Sequence, residues 1–332
     1  AYFERANRLK HVGDLEGAVR DYTRAIEIEP AFVQAWLQRG FLRMWELGDE
    51  AGAEDIARAY DIAPNDPEAA MAFVELIAWD EPDHAFEILD RLMREFPDDP
   101  TPLIKRAKLR RGFGDYAGAA EDFAAALDRI PEAPWIRVER AMVLLALGEF
   151  AEARREVERA AENEPYNPDV LLARARLAVL ADNTRLAEEL YAEHLGAEWF
   201  HQPAKLEAAL VIAARGNRDL AEDAIRSFQD AKDDPLRARL ARACAEALIG
   251  EDERAVDHAL EVVREAEWYM PAWLVLAALD GAGVAMPPEM AEEATMRFQD
   301  IRGELPRLFM EHTELLVWLS LYGVSPPEMG SD

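Results

Sequence analysis

Gly114-Asp115-Tyr116-Ala117-Gly118-Ala119, followed by Phe123, Ala126 and Pro131, is the stretch that decides the fold, because the chain writes it more than once. Gly13-Asp14-Leu15-Glu16-Gly17-Ala18 runs on to Tyr22, Ala25 and Pro30. Gly148-Glu149-Phe150-Ala151-Glu152-Ala153 runs on to Val157, Ala160 and Pro165. A glycine after one helix supplies a left-handed C-cap, and the acidic residue beside it can cap the next helix. Apolar residues at i, i+3, i+4 and i+7 on either side read as two amphipathic helices. Proline ends each unit because it cannot continue a helix interior.

The period extends beyond these three copies. Pro30 and Pro64 are 34 residues apart, as are Pro97 and Pro131, and Pro131 and Pro165. Pro64 to Pro97 is 33, a slip of one. Small residues recur on each first helix, at Ala6, Gly40, Ala107, Ala141 and Ala175, and on the second at Ala18, Ala119, Ala153 and Ala187. Small side chains let paired helices approach closely. One helix pair buries only part of its apolar face, so neighbouring pairs must stack.

This period and these positions, with Trp36 at an aromatic packing site, resemble the tetratricopeptide repeat family. Six repeats are readable over residues 1–198. In the third, Asp80-Glu81-Pro82-Asp83 replaces the Gly-Asp turn; the sixth lacks its terminal proline. The resemblance implies an all-α, right-handed superhelical solenoid of antiparallel helix pairs. Residues 199–303 continue as degenerate pairs: Leu206 to Ala214 with Leu220 to Phe228, Leu236 to Leu248 with Arg254 to Glu265, and Trp273 to Leu279 with Glu289 to Phe298. Residues 304–332 read as a C-terminal capping helix, Leu305 to Tyr322, and a Pro-rich tail.

A second regularity concerns charge. Arg5, Arg39, Arg106 and Arg140 are each followed sixteen residues later by an acid: Asp21, Asp55, Asp122 and Glu156. In the third repeat Ala72 and Ile88 replace both charges together, and in the sixth Arg174 faces Leu190. Partly buried charges persist when paired. The spacing therefore predicts ion pairs between the two helices of a repeat, and removes Arg106 and Arg140 from the candidate binding residues.

Composition excludes several functions. The 332 residues include 37 Lys and Arg against 66 Asp and Glu, a net charge of −29. Such a surface repels nucleic acid phosphates and anionic membranes. No run reaches the roughly 18 apolar residues of a membrane span. Cys244, the single cysteine, cannot form an internal disulfide, and its Ala-rich surroundings predict a small buried residue rather than a nucleophile. No phosphate loop, dinucleotide fingerprint or HExxH motif is present. His194 and His201, seven apart with Glu193 and Glu198 nearby, lack a third ligand fixed by spacing. The reading is therefore non-catalytic, with no cofactor and no metal. The Ala-rich, Arg-over-Lys composition suggests a bacterial source, and the chain is expected in the cytoplasm.

What remains is the face of the first helices, which in the resembled family lines a concave groove that takes peptides. By register that face carries Asn7, Leu37, Phe41, Met44, Trp45, Lys108, Arg111, Met142, Leu145 and Arg176. An apolar groove with cations in its middle implies a protein or peptide partner with hydrophobic anchors and an acidic residue. The carboxylate clamp by which some family members grip chaperone tails is not matched. Asn7 fits one clamp position, but Phe3, Gln38, Pro67 and Met71 occupy the others. The expected function is a protein-interaction scaffold. Alternatives are the recognition arm of a larger enzyme and a sensor that changes curvature on binding a peptide. The oligomeric state is not legible.

Overall fold

The computed structural model describes residues 1–197, 202–216, 219–220, 235–301, 303 and 305–323. Among the described residues every regular element is helical. The chain divides into two compact units, Ala1–Leu109 and Arg110–Asp332.

Unit one contains α1 (Tyr2–His11), α2 (Leu15–Ile28), α3 (Val33–Phe41), α4 (Ala51–Ile62), α5 (Pro67–Ile77) and α6 (Pro82–Glu95). A π-helical turn, Leu42–Glu46, extends α3, and α7 spans Thr101–Gly112 at the division between the units. Unit two continues with α8 (Tyr116–Arg129), α9 (Pro134–Ala146), α10 (Phe150–Asn163), α11 (Pro168–Leu180), α12 (Thr184–Ala197) and α13 (Gln202–Ala214). After these come α14 (Pro235–Leu248), α15 (Asp252–Glu265), α16 (Met270–Gly281), α17 (Pro288–Ile301), α18 (Leu305–Glu311) and α19 (Thr313–Leu321). Within each unit consecutive helices pack as pairs, and pairs stack on their neighbours.

The boundaries follow from the sequence signals. Gly13, Gly114 and Gly148 have φ of +85°, +83° and +77°, the left-handed region in which a β-carbon is costly. The Asp14 and Asp115 carboxylates accept the Gly17 and Gly118 amides, each at 2.9 Å, and so cap α2 and α8. Pro30, Pro64, Pro97, Pro131 and Pro165 each stand two residues beyond the end of a second helix. In the third repeat α6 starts at Pro82, where a missing amide costs nothing. The small residues Ala6, Ala18, Ala107, Ala119, Ala141, Ala153, Ala175 and Ala187 have no exposed surface, as close helix approach requires.

The pairs over 235–265 and 270–301 form as the sequence predicts. Of the pair assigned to residues 206–228, α13 is present, while the second helix falls mostly outside the described residues, as does the Pro-rich tail. The segment Leu305 to Tyr322, read as one helix, is two: the backbone leaves the helical region at His312, with φ −128° and ψ +68°.

Candidate functional site

The sixteen-residue charge rule holds for Arg5, Arg39 and Arg140. Arg5 makes a two-armed pair with Asp21. Arg39 Nε and Nη2 donate to Asp55 at 2.7 and 2.6 Å, and the side chains are nearly sealed from solvent. Arg140 reaches Glu156 at 2.7 Å, with Arg137 on its other oxygen at 2.8 Å. The Arg5 hydrogen bond holds the Asp21 carboxyl below its usual range. Arg106 and Asp122 lie in different units; within those units Arg106 bonds Asp90 at 2.6 Å and Arg110 pairs with Asp122 at 3.1 Å. Being paired, these groups are structural.

On the first helices of unit one, α1, α3 and α5, the Asn7 side-chain Oδ1 accepts the Tyr22 hydroxyl at 2.6 Å. Leu37, predicted on the binding face, has no exposed surface and packs against Ile56, Ala59, Ala69 and Ala72. It is a core residue. Phe41 and Met44 are half-buried against the same cluster. Trp45 is 53% exposed, with its ring 5.0 Å from that of Phe41. The groove sequence therefore ends in an aromatic pair with one indole open to solvent.

The π turn explains how Trp45 comes to stand there. Ala18 to Gly52 and Arg5 to Arg39 keep the 34-residue period, but Gly13 to Gly48 is 35. The second repeat thus has one extra residue before its turn. A regular closure joins Asp14 N to Leu9 O, Asp115 N to Arg110 O, and Glu149 N to Leu144 O, five residues back. In the second repeat Asp49 N bonds Arg43 O, six back, and Leu47 N bonds Leu42 O. The extra residue is absorbed as the π turn, and the signal for it was the 35-residue spacing. Just above it α3 and α4 approach closely: a β-carbon on Gly52 would lie 2.5 Å from the Gly40 carbonyl oxygen.

The cations of the predicted groove have partners. Arg111 is paired with Glu139, and Lys105, beside Lys108, bonds Glu75 at 3.0 Å. Lys108 itself is exposed.

In unit two the first-helix face is already occupied. α19 lies against α11, α13 and α14, while α18 packs on α9. Met142, Leu145 and Arg176, predicted to meet a partner, instead line a crevice with Phe309, Met310, Thr313, Leu316 and Val317. Leu145 is 2% exposed, and Arg176 donates to Glu207 at 2.9 and 2.8 Å and to Thr313 at 3.0 Å. Glu207 also accepts from Tyr191 at 2.8 Å and Thr313 at 2.5 Å. Arg237 pairs with Glu314 at 2.5 Å. Trp318 is fully buried and donates to the Cys244 carbonyl at 3.0 Å. These residues bind the chain's own C-terminal helix, so they are corrected from binding face to interior. The cause is that α19 returns to the first helices rather than following α17 as a further layer.

Burial would lower the Arg176 pKa, but the charge and hydrogen bonds of Glu207 outweigh it and raise it. Burial, then Glu207, pushes the Tyr191 phenol well up. Burial pushes the Cys244 thiol well above its ordinary value, which suits a packing residue rather than a nucleophile. His194 is buried, with Nδ1 2.8 Å from the Pro168 carbonyl; His201 lies outside the described residues. Among the described residues no group of three metal-ligating side chains comes together, and no helix is long and apolar enough to cross a membrane.

Residues 111–177 match the family model described as tetratricopeptide repeat. No curated protein sequence matches the chain. Among solved structures, Cut9–Hcn1, a hetero-tetramer of APC/C, is similar at 14% identity, covering 83% of this chain and 54% of that one, with a TM-score of 0.60. A tetratricopeptide repeat protein from Parabacteroides merdae ATCC 43184 is similar at 14% identity over 80% of this chain and 98% of that one, TM-score 0.56. PilW, a type IV pilus biogenesis factor, is similar at 16% identity over 60% and 94%, TM-score 0.53. At these identities the likeness speaks to fold.

Proposed function

Because this chain belongs to the tetratricopeptide repeat family, we propose that it is a protein-interaction scaffold, without catalysis of its own, whose recognition face lies on the first helices of unit one. One observation carries the reading. The first-helix face of unit two is filled by α18 and α19, whereas that of unit one ends in Phe41, Met44 and the half-exposed indole of Trp45. Aromatic side chains anchored at their base and open at their edge are the usual centres of binding energy. Asn7 stands on the same face by register on α1, and Lys108 is exposed on α7.

The partner is a protein segment with apolar anchors. The test is affinity capture with the full chain, followed by affinity measurement on the captured partner. Phe41→Ala is expected to weaken binding more than tenfold, about 2 kcal/mol or more, at any salt concentration and with unchanged helicity. Met142→Ala, in the self-occupied face, is expected to leave binding unchanged. A partner that binds folded Phe41→Ala as well as wild type overturns this placement of the site.

A further inference from the structure

Arg91 on α6 is a half-buried guanidinium that pairs with no carboxylate among the described residues, in a chain with 66 Asp and Glu against 37 Lys and Arg. Arg39, Arg43 and Arg106, the other buried or half-buried arginines of unit one, each hold one: Asp55 for the first two and Asp90 for the third. Arg91 instead donates through Nη2 to two neutral oxygens, the Pro64 carbonyl at 2.6 Å and the Tyr60 hydroxyl at 3.3 Å. Its Nε is sealed from solvent and makes no hydrogen bond, and Nη1 makes none among the described residues. The Tyr60 ring is itself fixed, stacked on Phe73 at 4.4 Å, so the guanidinium is held in place before any ligand arrives.

Arg91 lines an open cleft of about 420 Å³ between α4 and α6, the second helices of repeats two and three, together with Tyr60, His84, Glu87, Asp90 and Arg94. Arg94, one turn on from Arg91, is exposed and makes no ion pair among the described residues. Asp90 is taken by Arg106 at 2.6 Å. Glu87 stands four residues before Arg91 and is exposed, but makes no ion pair among the described residues. Exposed pairs at that spacing contribute little, so an incoming carboxylate can compete with Glu87. Guanidinium donors left without acceptors favour a charged acceptor, and a carboxylate matches their fork geometry. A phosphoryl group also fits a guanidinium, but its charge near −2 meets stronger repulsion from Glu87.

We propose that the cleft between α4 and α6 binds a carboxylate side chain of a partner protein, with Nη1 of Arg91 and the guanidinium of Arg94 as its donors. The site belongs to the second helices, whereas Phe41, Met44 and Trp45 belong to the first helix of repeat two and its π turn. It therefore adds a second contact rather than restating the recognition face. The acidic residue expected of the partner from the sequence keeps its place in the reading but changes its seat. On the first helices Lys105 and Arg111 are already held by Glu75 and Glu139. Because unit one is acidic as a whole, the contact selects a carboxylate at short range and does not attract polyanions from a distance.

The experiment follows the Arg91 Nε–H resonance of the full chain, labelled with ¹⁵N-arginine, at about 50 mM salt. Arg91→Lys assigns the signal. Capped diglutamate, dilysine and phosphoserine peptides are the probes, the first and last being close in charge. Diglutamate is expected to move the resonance saturably, dilysine not to move it, and phosphoserine to bind more weakly. Arg94→Gln, an exposed substitution that leaves the Arg91 bonds to Pro64 and Tyr60 in place, should weaken diglutamate binding roughly threefold or more. Glu87→Gln removes the competing carboxylate and should strengthen it about twofold. A control of larger charge change elsewhere in unit one, Arg20→Gln with Arg58→Gln, should stay within about twofold of wild type. If diglutamate leaves the resonance unmoved, if Arg94→Gln binds as wild type does, if the control loses as much, or if only phosphoserine saturates, the proposal falls. Each of these results leaves the Phe41→Ala measurement to decide the recognition face separately. Circular dichroism of each variant checks that the helices are intact.

Discussion

Arg176 and Glu207 form a two-armed ion pair between the first helices of successive repeats, 31 residues apart, and Glu207 has no exposed surface. A carboxylate so enclosed depends on its partners: Arg176, Tyr191 and Thr313 occupy both of its oxygens. Arg176→Ala would leave that charge buried and is expected to cost about 3–5 kcal/mol of unit-two stability. Replacing both residues by Met should recover most of the loss, since a buried pair is often no better than an apolar pair of the same volume. Urea unfolding of the single and double variants measures the difference.

Acid should release the C-terminal helix. Burial alone would raise the Glu314 pKa, but hydrogen bonds from His312 and Arg237 outweigh it and lower it. A carboxyl whose folded pKa lies below its unfolded value, ordinarily about 4.3, stabilises the fold above that value. The contribution disappears as pH falls through the lower folded value. Near-ultraviolet circular dichroism of the buried Trp318 is expected to weaken below about pH 4. In Glu314→Gln that pH-dependent component should be smaller.

Two glycine substitutions should act by different routes. Gly13→Ala places a β-carbon in open space at φ +85°, so its cost is backbone strain of about 1–2 kcal/mol. Gly52→Ala brings a β-carbon to 2.5 Å from the Gly40 carbonyl oxygen and 2.8 Å from the Met44 nitrogen. That clash should cost about 1–3 kcal/mol and displace the π turn. Thermal unfolding measures both losses. Only Gly52→Ala should move the indole N–H resonance of Trp45.

The helix pairs, their turns and the charge pairs of Arg5, Arg39 and Arg140 were legible in the sequence because each rests on a local spacing that the fold repeats. The Arg176 and Glu207 pair was not. It joins two repeats rather than two helices of one, and Leu190 had already broken the sixteen-residue rule. The filling of the unit-two face was invisible for a related reason. Thr313 meets Arg176 across 137 residues, and nothing periodic marks such a contact. Trp45 was placed on the right helix, but its half-exposed setting followed from a one-residue excess that only the hydrogen bonds of the turn make plain.

The return of α19 changes how the two units come apart. In unit one helices touch their neighbours or the next repeat's first helix, so the unit can fray from its end one layer at a time. In unit two, Thr313 is tied to Glu207 106 residues away and Ser320 to Val179 at 141. Those ties close the chain from α11 to α19 into a ring. Loop closure over such distances slows assembly. The amino-terminal repeats can therefore yield to a binding partner while the carboxy-terminal ring keeps its shape.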